Sequence, residues 1–162
     1  MLEKKRKILF SADIAAVILL FAAAVYSAVF SLTLFPDILL ENNSVQTDSL
    51  VGTMGVGLAL GLGTAVAMII MFIYSLICLI APILALITAL RAKRASKAAG
   101  TMKRWPVLRI VTSILGFIMT FTMTSWAVSI GPEFIPAPIL SALGTLILIL
   151  FPLFLKPDTD QI

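Results

Sequence analysis

The stretch Ser49–Leu90 runs for 42 residues without one charged side chain, between Asp48 and Arg91. As a single straight helix it would extend ~63 Å, against a bilayer hydrocarbon core of ~30 Å. It also lacks the polar cluster that would turn the chain between two spans. How this segment crosses a bilayer therefore decides the topology of everything around it.

Three more apolar runs flank it. Ile8–Phe35 is interrupted only by Asp13, a second run extends from about Val107 to Ile130, and a third covers Phe134–Leu155. The chain is 60% hydrophobic and 12% charged, with a mean hydropathy of +1.12. Soluble domains carry about 25% charged residues, and a water-soluble fold of 162 residues could not hide this much apolar surface. Lipid must be the solvent, and the chain reads as a single polytopic membrane domain over 1–162. Four bases (Lys4, Lys5, Arg6, Lys7) precede the first run. Secretory h-regions are about 7–15 residues long, so this much longer run reads as a first transmembrane helix, stopped by Pro36. Gly131-Pro132 ends the third span, and the connection to the fourth is short enough to make those two helices antiparallel neighbours.

Charge sorting settles whether the long run crosses once or twice. If it crosses once, all 12 Lys and Arg residues fall on one face, and Asp37, Glu41, Asp48 and Glu133 fall on the other. If it crosses twice, the seven bases of 91–109 move outside, against the positive-inside rule. The expected fold is an all-α, four-transmembrane-helix antiparallel bundle with both termini cytoplasmic. Its spans lie near 8–35, 50–90, 107–130 and 134–155, and its basic cytoplasmic loop is 91–106. The second helix is unusually long, with Pro82 as a kink point. The alternative makes residues 50–63 a re-entrant segment shielded from lipid by other helices. The same sorting of charge by membrane face argues against a nucleic-acid partner for the net charge of +4. A bacterial cytoplasmic membrane is the default location.

Two faces of small residues stand out. Gly57, Gly61 and Ala65 step by four through the glycine-rich start of the long run. Ser113, Gly116, Thr120 and Thr124 recur at steps of three and four in the third span. In lipid, close backbone approach through small residues supplies much of the packing. Such faces serve packing within the bundle, a seam with a second copy or another membrane protein, or a polar path. Ser and Thr also bond back to their own helix carbonyls, which weakens the last reading.

Asp13 is the one clearly intramembrane acid, roughly 9 Å along the helix from Lys7. Three readings are open to it: a wet position at the cytoplasmic interface, a pair with Arg109 or Arg91, or proton or cation handling. Enzyme templates find no support. The chain has no histidine and a single cysteine, Cys78, so neither a zinc site nor a histidine-based triad can be assembled. No Gly-Lys-Ser/Thr phosphate loop is present, and no cofactor or metal is expected. The bases Arg91, Lys93, Arg94, Lys97, Lys103 and Arg104 suit topology, anionic lipid headgroups or a cytoplasmic partner. The function expected is that of a non-enzymatic membrane protein acting through lateral helix contacts, as an accessory or assembly subunit or a self-associating bundle. The competing expectation is a small homo-oligomeric transporter or channel using Asp13 and the hydroxyl face of the third helix.

Overall fold

A computed structural model describes residues 2–42, 50–99 and 107–154; the side-chain surroundings of 34–42, 50–60 and 95–99 lie outside the description. The described chain is helical throughout: α1 (Leu2–Asn42), α2 (Leu50–Cys78), α3 (Ile80–Ala99), α4 (Val107–Ile130), a 3-10 turn (Pro132–Phe134) and α5 (Pro136–Phe154). Among the described residues, four segments are long and apolar enough to cross a membrane: Lys7–Thr33, Gly61–Arg91, Val107–Ile130 and Pro132–Phe154. The arrangement is that of a multi-pass membrane protein and is compatible with a membrane helical bundle.

The long run is helical on both sides of one interruption. Residues 50–63 continue directly into the rest of α2. Pro82 has no N–H, so the carbonyl of Cys78 loses its helical donor. The chain tightens there: Leu79 N–H donates to the Leu76 carbonyl at 3.2 Å, and Ile83 N–H resumes the ladder to Leu79 at 3.3 Å. The fully buried Pro82 thus separates α2 from α3 within one apolar segment. Pro36 behaves differently from expectation, because α1 runs past it to Asn42. A proline removes one helical hydrogen bond without obliging the helix to end, and the side-chain surroundings of Pro36 lie outside the described residues. α3 likewise continues to Ala99, so the first part of the basic segment is helix. The next residue in sequence is Gly100, a residue suited to ending a helix.

α1 is the hub. It packs along α5 most extensively, and along α2 and α3, while α4 packs on α5 and α3. Its buried side is mostly small: Ala12, Ala16, Ala23, Ala24, Ser27 and Ser31. α3 answers with Ala81, Ala85 and Ala89, a four-residue step that buries all three methyl groups. Large residues such as Ile18, Phe21, Ile69, Ile73, Phe117 and Phe121 point outward. The distribution fits association in lipid, where backbone proximity holds helices together. Buried hydroxyls add specific ties. Ser27 and Ser75 share a hydrogen bond of 2.8 Å between α1 and α2, and the Tyr74 hydroxyl donates to the Met119 carbonyl of α4 at 3.3 Å.

Gly131 adopts φ 139°, ψ 178°, a region open essentially to glycine. It accounts for the sharp end of α4. Phe134 then plugs the turn against Phe30, with ring centroids 5.1 Å apart, and the Tyr26 hydroxyl donates to the Glu133 carbonyl at 2.6 Å. Pro136 and Pro138 fall in the first turn of α5, whose N–H groups need no helical acceptor.

α1 and α5 approach each other closely at Gly144. A Cβ there would stand 3.0 Å from Leu20 Cγ and 3.2 Å from the Ala16 carbonyl oxygen. Gly144→Val should destabilise the fold by about 1–3 kcal/mol, since the Ala16 backbone cannot yield. Gly63→Val, with nothing within 4 Å of its Cβ position, should leave stability nearly unchanged. Unfolding in mixed detergent micelles, followed by circular dichroism, separates the two.

Candidate functional site

Asp13 projects from the buried side of α1, in line with Leu9, Ala12 and Ala16. Arg109 lies in the first turn of α4 and reaches across to it. The guanidinium Nη2 donates to Asp13 Oδ2 in a direct ion pair, with the two side chains 0% and 5% exposed. Arg91, the other base considered for Asp13, stands exposed at the end of its candidate span. Moving a carboxylate and a guanidinium out of water costs several kcal/mol each, and only a close, hydrogen-bonded partner offsets this. The pair also links residues 96 positions apart in the chain, joining α1 to the start of α4.

The small-residue face of α4 continues from this pair and divides in two. Its first half is packed within the chain. Gly116 abuts α5 so closely that a Cβ would fall 2.6 Å from Thr145 Oγ1. Thr120 and Ser141 share a hydrogen bond of 2.8 Å. Ser113 is buried beside them. Most hydroxyls on α4 bond back to their own helix, as Thr112 does to Leu108 at 2.7 Å and Thr124 to Thr120 at 2.8 Å. Ser113 Oγ and Thr145 Oγ1 are exceptions: both are buried without a hydrogen-bond partner among the described residues. The second half of the face is open. Thr124 is exposed and, with Thr120 and Ala127, lines a shallow groove of about 460 Å³ opposite Pro138, Ile139 and Ala142 of α5.

Among the described residues, nothing packs on the glycine-rich start of α2 at Gly61 and Gly63. Gly61, Gly63 and Ala65 are exposed, and nothing lies within 4 Å of the Cβ position of either glycine. Gly57 belongs to the same helix, but its surroundings lie outside the described residues. Arg91, Lys93 and Arg94 are exposed on the last turns of α3, and the Lys93 ammonium sits 4.1 Å above the Phe10 ring of α1. Lys97 is on α3 with its surroundings undescribed, and Lys103 and Arg104 lie outside the described residues.

The alanine step of α3 and the Thr145–Gly116 contact escaped the sequence reading. Ala81, Ala85 and Ala89 do repeat at four residues, so a search for alanine as well as glycine would have found that face. Among the described residues no three His, Cys, Asp or Glu side chains cluster as a metal site. Compared with family models, curated proteins and solved structures, the chain matches none of them.

Arg109→Met strands a buried carboxylate and should cost about 3–5 kcal/mol, while Asp13→Leu combined with Arg109→Met should recover most of that loss. Unfolding midpoints of the wild type, the single variant and the double variant, read in one detergent, test the coupling. Equal losses in the single and double variants would show that the pair is not what holds these helices.

Proposed function

We propose that this chain is a non-enzymatic integral membrane protein that works through lateral contacts between helices, as an assembly subunit or a self-associating bundle. The observation that carries the reading is the open face of α2. Gly61 and Ala65, one helical turn apart on the same side of α2, lie in a candidate membrane span, with no described residue within 4 Å of the Gly61 Cβ position, whereas Gly116 and Gly144 are each covered by another helix. In lipid a bare backbone face gains nothing from exposure and gains packing when a second helix closes on it. Homo-oligomers and other membrane proteins are the partners such a face fits, and nucleic acid is not among them.

The proposed orientation places both termini and the basic segment in the cytoplasm, with Glu133 on the far side, in keeping with the distribution of Lys and Arg. An antiparallel α4–α5 pair agrees with Thr120 meeting Ser141 while Gly116 meets Thr145. The bacterial cytoplasmic membrane is the proposed location. Gly61→Leu with Ala65→Leu should weaken self-association or partner recovery in mild detergent by at least tenfold, with the unfolding midpoint retained. Association that survives both changes in crosslinking and in co-purification would remove the α2 face from this role.

A second reading, a small homo-oligomeric transporter or channel, draws on one observation. The buried Ser113 hydroxyl lies on the α4 face that starts at Arg109, and the buried Thr145 hydroxyl of α5 faces Gly116 on that same face. It calls for proton-driven dye quenching in liposomes that Ser113→Ala with Thr145→Val slows several-fold. No flux above empty liposomes would dismiss it.

A further inference from the structure

Ser113 Oγ and Thr145 Oγ1 are buried between α4 and α5, and neither has a hydrogen-bond partner among the described residues. The two residues are 8% and 4% exposed and lie in candidate membrane spans. Lipid tails offer a hydroxyl nothing to bond, so a partner has to come from inside the protein.

Both residues had a local alternative. Every other Ser and Thr of α4 donates to the carbonyl four residues back: Thr112, Thr120, Thr122, Thr124, Ser125 and Ser129. A change of rotamer would give Ser113 the Arg109 carbonyl and Thr145 the Ser141 carbonyl in the same way. Instead Thr145 Oγ1 is turned to α4 and stands 2.6 Å from where Gly116 would carry a Cβ.

The seam between the two helices shows why a direct bond is missing. Thr120 and Ser141 face each other and share a hydrogen bond of 2.8 Å. One turn along both helices, Thr145 faces Gly116, which has no side chain to answer it. The next buried hydroxyl of α4 is Ser113, three residues farther, a rise of ~4.5 Å. One molecule bonded to two hydroxyls at ~2.8 Å each can span up to ~5.6 Å, which covers that offset. The charges one turn from Ser113 on this face, Arg109 and its partner Asp13, cancel each other, so the seam suits a neutral molecule rather than an ion. The Arg109 and Ser141 carbonyls each keep a second lone pair beyond the helical bond, so a buried water would find the polar partners it requires.

We propose that one internal water molecule binds between Ser113 Oγ and Thr145 Oγ1 and joins α4 to α5 where Gly116 interrupts the row of paired hydroxyls. The site depends on neither reading of function, and its test needs neither self-association nor flux.

The test uses the full-length protein, 13C-labelled at Ser and Thr, in phosphatidylcholine liposomes, with solid-state NMR that transfers magnetisation from water to side-chain carbons. Signal should build up at Ser113 and Thr145 about threefold faster than at Ser27 and Ser75, which are as deeply buried but bond each other. Thr145→Ser keeps the hydroxyl and should keep the fast build-up. Ser113→Ala removes one oxygen and should lower the unfolding midpoint by about 2–4 °C, the effect of one hydrogen bond in a chain of this size. Adding Thr145→Val should lower it little further, because the water has already lost a partner. Build-up at Ser113 and Thr145 no faster than at Ser27 and Ser75 would overturn the site. So would a Ser113→Ala midpoint equal to or above that of the wild type, the result expected if each hydroxyl turns back onto its own helix.

Discussion

A guanidinium buried completely against a carboxylate, in a chain whose solvent is lipid, constrains the whole arrangement. Neither Arg109 nor Asp13 could stay charged alone at this position. Their meeting requires α1 and the start of α4 to come side by side, although most of the chain separates them. Buried residues within about one turn of the pair on each helix are mostly small, Ala12 and Ala16 on α1 and Thr112 and Ser113 on α4, with Leu9 as the larger one. Directional electrostatics thus selects which helices meet, and small side chains let them close.

The rest of the packing follows the opposite of the rule for water. Alanine and serine make up much of the inside, with Phe30 and Phe134 the aromatic exceptions, and most isoleucine and the remaining large aromatic side chains such as Phe117 and Phe121 are outside. A soluble protein would bury the larger residues first. Here the transfer of an isoleucine from lipid to protein gains little, so interior positions go to residues that shorten the distance between backbones. Polar groups inside must then find partners within the chain. Ser27 with Ser75, Tyr74 with the Met119 carbonyl and Thr120 with Ser141 are such partnerships.

The number of candidate spans was legible from the sequence because hydropathy and length act over whole segments. The end of α4 at Ile130 and the break at Gly131-Pro132 were read to the residue. Pro82 was legible as an interruption, since a missing N–H has a local consequence wherever it falls in a helix. Pro36 was misread as a stop: α1 runs on to Asn42, since one missing N–H can be carried within a helix. Which small residues touch each other was not legible. Gly116 and Gly61 look alike in sequence, and only the path of α5 makes one of them buried and the other bare. The same holds for Arg109 and Arg91, both at a suitable level for Asp13, of which one faces inward.

Exposure by itself says little about function in a membrane protein. An exposed Ile69 or Phe121 is simply solvated by lipid, and an outward apolar face is no sign of an absent partner. An exposed glycine is different. It has no side chain to offer lipid, and it weakens the helix relative to alanine by about 1 kcal/mol. Gly61 and Gly63 carry that cost where no described residue lies within 4 Å of their Cβ positions, whereas Gly144 is compensated by the close approach of α1 and Gly116 by that of α5. The asymmetry between covered and bare glycines is therefore more informative than the apolar surface around them. It directs the search for function to the lateral surface of α2 rather than to an interior cavity.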